Sequence, residues 1–253
     1  MKLTGNVILI TGGGSGLGRG FAEAFHKLGN QVVIAGRRED VLRETAEANA
    51  GMDWVRMDVA DAASIAEATA EVVRRHGGLN VVMNNAGVQR YIDFTKVYDD
   101  AKALEEINTN ILGLMRVTAA LLPQLRGVPD AVVVNVSSGL AFVPLARYPV
   151  YCASKAFVHS FSISLRHQLK ETGVRVVELA PPWVESGLHD AHPPEGNPEP
   201  APGRGPMPLE AFLAAAMEEL GSGKDELAVA GAKFMYGAAV GEGAGKAFGG
   251  MNG

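Results

Sequence analysis

Short runs of β-branched and other apolar residues recur along this chain, separated by longer segments of helical periodicity. That alternation leaves few folds open. The runs Val7–Ile10, Val32–Ala35, Val81–Met83, Ala131–Val136 and Val174–Leu179 are nearly continuous in apolar residues, with Trp54–Met57 weaker and Leu227–Ala230 short. Strands without a polar face are buried on both faces, as in a parallel sheet. Between them Arg19–Leu28, Glu39–Asn49, Ser64–His76, Ala101–Leu125 and Cys152–Thr172 read as helices, and Leu209–Leu220 adds another. The expected class is therefore α/β: a doubly wound, Rossmann-type parallel sheet in a three-layer α/β/α sandwich. No repeat or linker divides residues 1–253, which read as one domain. Seven of the thirteen prolines fall in Asp190–Pro208, which predicts a flap at about 185–220. The glycine-rich tail 241–253 is expected to be poorly ordered.

The first strand runs straight into TGGGSGLG, with Gly12, Gly16 and Gly18 ahead of a helix. Glycines permit positive φ and close backbone approach, and a helix N-terminus offers unpaired N–H groups to an anion. A turn of this kind also serves simply to reverse the chain. The preceding strand, the following helix and a second strand further on together point to a dinucleotide pyrophosphate. At the end of that second strand an acid would suit the ribose 2′-hydroxyl of NAD, whereas arginine suits a 2′-phosphate. Here Gly36 stands in that place, followed by Arg37 and Arg38, so NADP is expected over NAD. Those arginines could also merely open an exposed helix. Asp58 is placed to accept from an adenine amino group; capping of the next helix by Asp58 or Asp61 is the plainer reading.

Tyr151 and Lys155 stand four residues apart in YCASK, and Ser138 precedes Tyr151 by thirteen in NVSSG. On a helix the spacing projects phenol and ammonium from one face. The positive charge should then draw the phenol toward its phenolate, with the Ser138 hydroxyl free to hold a carbonyl oxygen nearby. The same spacing arises wherever a lysine snorkels beside a half-buried tyrosine.

Bulk properties exclude several classes. A net charge of −5, with no cluster of Lys and Arg, gives no footprint for nucleic acid. No apolar run is long enough to span a membrane, and the first residues read as a strand and not a signal peptide. Cys152 is the only cysteine, which fits a cytoplasmic, reducing setting and a packed thiol. No histidine spacing suggests a metal.

Taken together, TGGGSGLG at 11–18, NNAG at 84–87, Asn110 in NTNILG, Ser138 and YCASK at 151–155 resemble the short-chain dehydrogenase/reductase family, in its single-domain branch. The resemblance covers the chain from the first strand to residue 188. It implies that Tyr151 is the general acid or base, that Lys155 holds the nicotinamide ribose and lowers the tyrosine pKa, and that Ser138 polarises the substrate oxygen. Asn110 would anchor a water in a proton relay, and Asn84 would tie strands together. Cofactor contacts implied by the resemblance fall on Gly12, Ser15, Gly16, Leu17, Gly18, Arg37, Arg38, Asp58, Val59, Asn85, Ala86, Gly87, Tyr151, Lys155, Pro181, Val184 and Ser186. The sequence departs from the family where Pro181-Pro182 replaces the usual Pro-Gly and Glu185-Ser186 the usual threonine.

Leu140, Phe142, Leu145, Tyr148, Trp183 and Leu188 lie near these residues in sequence and are the candidate substrate wall. Their apolar character suggests a hydrophobic ketone, aldehyde or secondary alcohol. The leading expectation is an NADP(H)-dependent carbonyl reductase or alcohol dehydrogenase. An NAD-linked alcohol dehydrogenase of the same fold and a non-catalytic nucleotide-binding sensor are the alternatives. Resemblance also implies a homodimer or homotetramer formed through the long helices.

Overall fold

The computed structural model describes residues 1–188 and 205–239. Seven strands form one sheet: β1 (Val7–Thr11), β2 (Gln31–Gly36), β3 (Asp53–Arg56), β4 (Val81–Asn84), β5 (Val132–Val136), β6 (Arg175–Ala180) and β7 (Glu226–Ala228), ordered β3-β2-β1-β4-β5-β6-β7. Every neighbouring pair is parallel. The order reverses between β1 and β4, which opens a crevice beyond their carboxyl ends, the usual ligand position in such a sheet.

Alternate residues feed two cores, as the period of a strand requires. Ile8, Ile10, Ile34, Met83 and Val134 face α1 (Gly16–Lys27) and α7 (Leu209–Gly221), where Phe21 meets Phe212 edge to face at 5.8 Å. Leu9, Val33, Val82, Val133 and Val176 face α3 (Ala62–Arg75), α5 (Leu114–Arg126) and α6 (Pro149–Leu169). Each such side chain, fully buried, stabilises the fold by about 1.5–3 kcal/mol. Helix α2 (Glu39–Glu47) packs on the β2–β3 edge.

Three expectations change. The helix anticipated over 101–125 is α4 (Asp100–Glu106), then a π-helical segment Ile107–Gly113, then α5. A Cβ on Gly113 would stand 2.6 Å from the Val59 carbonyl oxygen, so here the chain presses against the turn that follows β3. Second, Phe212, Ala216 and Leu220 are fully buried, so residues 209–220 belong to the core and not to a flap. Residues 189–204 and the tail 240–253 lie outside the described residues. Third, a helix the sequence reading missed, α8 (Gly231–Ala239), follows β7 and packs over a 3₁₀ turn at Gly139–Ala141.

Beneath α6 the apolar pattern breaks in a single row of paired strand positions, Asn84, Asn135, Glu178 and Glu226. Asn84 donates to Asn135 Oδ1 and to Thr118 Oγ1, both at 2.9 Å, and Asn135 donates to Ser162 Oγ at 3.0 Å. Asn84 thus ties β4 to β5, the role expected of it. Among the described residues no helix is long and apolar enough to cross a membrane.

Candidate active site

One cleft of about 1890 Å³ runs from the β1–α1 turn to the N-terminus of α6. At the first end, Gly12 (φ 68) and Gly16 (φ 52) adopt left-handed backbone that disfavours a side chain. A Cβ on Gly18 would stand 2.2 Å from the Gly12 carbonyl oxygen, and one on Gly16 would stand 2.6 Å from the Ser186 carbonyl oxygen. Ser15 makes no side-chain cap bond to α1, so the first N–H groups of that helix are left for another acceptor. A glycine cradle without side chains at an uncapped helix start fits a pyrophosphate. Gly12, Ser15, Gly16 and Leu17 line the cleft. Gly18 lies behind them, where it lets α1 approach the turn.

Arg37 and Arg38 line the same cleft at the end of β2, as do Gly36, Asp58 and Val59. The Arg38 guanidinium donates to Ser15 Oγ at 3.3 Å. Asp58 closes its own turn by accepting from Ala60 N at 3.0 Å, whereas Asp61 is the residue that caps α3. Thr11, at the end of β1, organises the next segment. Its Oγ1 accepts from Asn85 N and Ala86 N at 3.1 and 3.0 Å, and its carbonyl accepts from Asn85 Nδ2 at 3.0 Å. The only sequence signal for it is a threonine ending an apolar strand before glycines.

At the far end Pro149 opens α6 at its first turn, a position where its missing N–H costs nothing. Tyr151 and Lys155 then face inward, 6% and 5% exposed. The Tyr151 hydroxyl is hydrogen-bonded to Ser138. Ser138 starts the 3₁₀ turn by accepting from Leu140 N at 3.1 Å. Lys155 Nζ donates to the Val136 carbonyl oxygen at 2.9 Å and lies 5.7 Å from the centroid of the Tyr151 ring. Asn110, within the π segment, is fastened at both ends of its amide: Oδ1 accepts from Val88 N, and Nδ2 donates to Val88 O, each at 2.9 Å. Between them sits Gly87, whose Cβ would be 3.4 Å from Asn110 Oδ1 and 3.6 Å from Lys155 Nζ. Ser138, Tyr151, Lys155 and Asn110 are therefore gathered around one point.

The electrostatics correct one expectation. The phenol was expected to be made more acidic by Lys155; instead burial pushes Tyr151 above the usual tyrosine range, outweighing its bond from Ser138. Burial also pushes Lys155 down, to about 8, against the field of Glu178. Glu106, at the end of α4, is raised to about 7 by burial; its Oε1 accepts from Arg90 N at 2.7 Å. Cys152, its thiol against the Leu145 backbone, is raised to about 11 by burial and stays a packed, neutral group.

Five of the six candidate wall residues line the cleft: Leu140, Leu145, Tyr148, Trp183 and Leu188. Leu140, Leu145 and Leu188 pack around Tyr148, Tyr151 and Cys152. Phe142 does not line it. Its ring is held edge-on by His159 at 4.9 Å and Tyr236 at 5.0 Å, which turns it under α8. Pro181, Val184 and Ser186 also reach the cleft, as do Gln89 and the α8 residues Lys233, Phe234 and Met235, none of which had been singled out. Helix α8 was hidden because its sequence, GAKFMYGAA, is interrupted by glycine.

A parallel sheet reversing at β1/β4, a glycine cradle there and a Ser–Tyr–Lys cluster across the same cleft define a dinucleotide-dependent oxidoreductase. The family model for short chain dehydrogenase matches residues 6–195. The chain belongs to the short-chain dehydrogenase/reductase family. It is 44% identical over 190 residues, 75% of each chain, to the uncharacterized oxidoreductase DltE of Bacillus subtilis. It is 37% identical to a sulfoacetaldehyde reductase of Chromohalobacter salexigens over 71% of this chain and 72% of that one. Its fold matches a short chain dehydrogenase of Burkholderia cenocepacia solved with NADP, at a TM-score of 0.82 and 24% identity over 96% and 95% of the two chains. It also matches one of Burkholderia phymatum solved with NAD, at 0.79 and 24% over 90% of each. Membership of this family supports a nicotinamide cofactor.

Proposed function

We propose that this protein transfers hydride between NADP(H) and a hydrophobic ketone or aldehyde, or the corresponding secondary alcohol. The observation that carries the reading is the hydrogen bond between Ser138 and Tyr151 beside Lys155, in the cleft that begins at the phosphate cradle. Bound nicotinamide supplies or accepts the hydride at its ring carbon. Everything else falls to the chain.

In the reductive direction Ser138 donates a hydrogen bond to the substrate oxygen and fixes it against Tyr151. Charge develops on that oxygen, and the Tyr151 hydroxyl gives up its proton to it. A phenol raised by burial keeps that proton at neutral pH, which is the form that can donate it. The phenolate left behind is stabilised by the Lys155 ammonium and the Ser138 hydroxyl. Proton donation by a placed group contributes about 10²–10⁴ in rate. Lys155 also holds the nicotinamide ribose, and Asn110, clamped to Val88, leads the proton route away from Lys155. Leu140, Leu145, Tyr148 and Leu188 supply the apolar seat for the carbonyl's substituents. Trp183, which follows β6, lines the same cleft.

For the cofactor, Gly36 leaves room where a carboxylate would repel a 2′-phosphate, and Arg37 and Arg38 bring two guanidiniums to that end of the cleft. The test is a panel of ketones, aldehydes and secondary alcohols with NADPH, NADH and their oxidised forms, read at the nicotinamide absorbance band. Turnover of apolar carbonyls, faster with NADPH, is expected. Nucleotide binding without turnover of any member would replace this reading with that of a nucleotide sensor.

A further inference from the structure

Behind the cleft, the polar row beneath α6 holds a charge that the proposed chemistry does not use. Glu178 is 2% exposed. Its Oε1 accepts from Ser137 Oγ at 2.5 Å, and its Oε2 lies 2.7 Å from His159 Nδ1. A buried carboxylate is tolerated only when it is paired and hydrogen-bonded, and both of its partners border Lys155. Ser137 directly follows Val136, whose carbonyl oxygen Lys155 grips at 2.9 Å. His159 comes one helical turn after Lys155, so Tyr151, Lys155 and His159 stand in line on one face of α6. Glu178 therefore closes a bracket around the seat of the ammonium.

Two other carboxylates lie near this seat, each with a hydrogen-bond partner of its own. Glu226, the next position in the row, pairs with Arg166 at 3.0 Å and accepts from Tyr236 at 2.9 Å. Glu106 accepts from Arg90 N and bears on Tyr151. For Lys155 itself, burial is the main influence and lowers it to about 8, while the Glu178 charge is the influence that raises it.

We propose that Glu178, fixed between Ser137 and His159, is a positioning residue that keeps the buried Lys155 side chain protonated. It touches neither substrate nor cofactor and acts through Lys155. The reading of Lys155 as part of the catalytic group gives this charge its purpose, but the electrostatic claim can be tested without it.

The experiment follows acetylation of Lys155 by acetic anhydride across a pH series, in protein freed of nucleotide, with mass spectrometry of the Lys155 peptide. Only the neutral amine reacts, so the midpoint reports its titration. In Glu178→Gln the midpoint is expected to fall by about one pH unit or more, with acetylation about fivefold faster at neutral pH. Glu178→Asp should restore the parent midpoint, and Glu226→Gln should leave it in place. An unmoved midpoint in folded Glu178→Gln, or an equal fall in Glu226→Gln, overturns the proposal. If Glu178→Gln does not fold, His159→Lys carries the test. It places a permanent cation on the carboxylate at a partly exposed position, and the Lys155 midpoint must again fall; no change there overturns the proposal as well. A protein that shows the shift yet turns over no carbonyl would refute the oxidoreductase chemistry assigned to Lys155 and leave the role of Glu178 intact.

Discussion

Lys155 Nζ lies 5.7 Å from the centroid of the Tyr151 ring and donates to the Val136 carbonyl oxygen at 2.9 Å, so ammonium and phenol share one buried compartment at the end of the cleft. The first prediction concerns the phenol. Tyr151→Phe removes the hydroxyl and keeps the ring that packs against Leu140, Leu145 and Leu188. Turnover of an apolar ketone is expected to fall by at least about 10²-fold, with NADPH affinity within a few-fold of the parent. Steady-state rates and nucleotide fluorescence titration measure the two. Parent-level turnover would remove Tyr151 from the chemistry.

Lys155 gives the second prediction, in which stability and activity move in opposite directions. Its folded pKa of about 8 lies below the ordinary value of 10.5. The folded state is therefore penalised while the amine is charged, below about pH 8. The penalty lifts as pH rises from about 8 toward 10.5, because the unfolded chain stays protonated there. Lys155→Met should raise Tm at neutral pH and lose that advantage in alkali, while turnover collapses. In the parent, reductive kcat/KM should decline above about pH 8, as the charge on Lys155 is lost. A pH-independent Tm difference between parent and variant would contradict this account.

Arg38 reaches Ser15 Oγ at 3.3 Å, which brings a guanidinium beside the start of α1 and makes the third prediction. Hydrogen bonds to charged groups are worth about 1.5–3 kcal/mol, so Arg38→Ala should lower kcat/KM for NADPH by about tenfold or more. The value for NADH should change little. Equal losses with both cofactors would show that Arg38 supports the turn and does not read a phosphate.

Much of this architecture was legible because buried parallel strands cannot hide: each of the apolar runs became a strand within a residue or two. Ser138, Tyr151, Lys155 and the glycine turn could be seen because chemistry demands particular groups at fixed spacings. The rest depended on tertiary packing. Phe142 looks like a cleft residue beside Ser138, yet His159 from α6 and Tyr236 from α8 take its ring away from the cleft. The π segment presses Gly113 against Val59, a contact between residues far apart in sequence. The acidity of Tyr151 is not legible for a related reason, since spacing reveals a neighbouring charge but not the depth of burial that raises the phenol.

Gly139 gives the last prediction, since α8 can rest beside Ser138 only if that residue has no side chain. A Cβ there would stand 2.6 Å from Met235 Sδ and 3.2 Å from Ala232 Cβ. The methionine end can swing aside, but Ala232 is fully buried and cannot. Gly139 has no positive φ, so alanine acts through bulk alone. Gly139→Ala should push α8 outward, lower Tm by a few degrees and raise KM for bulky ketones, because Phe234 and Met235 line the cleft. Shortening the obstructing side chain isolates the cause. In a double-mutant cycle, Met235→Ala should be less harmful in the Gly139→Ala background than alone, with a coupling energy of about 0.5–3 kcal/mol. Strict additivity in Tm and KM would show that α8 does not bear on this turn.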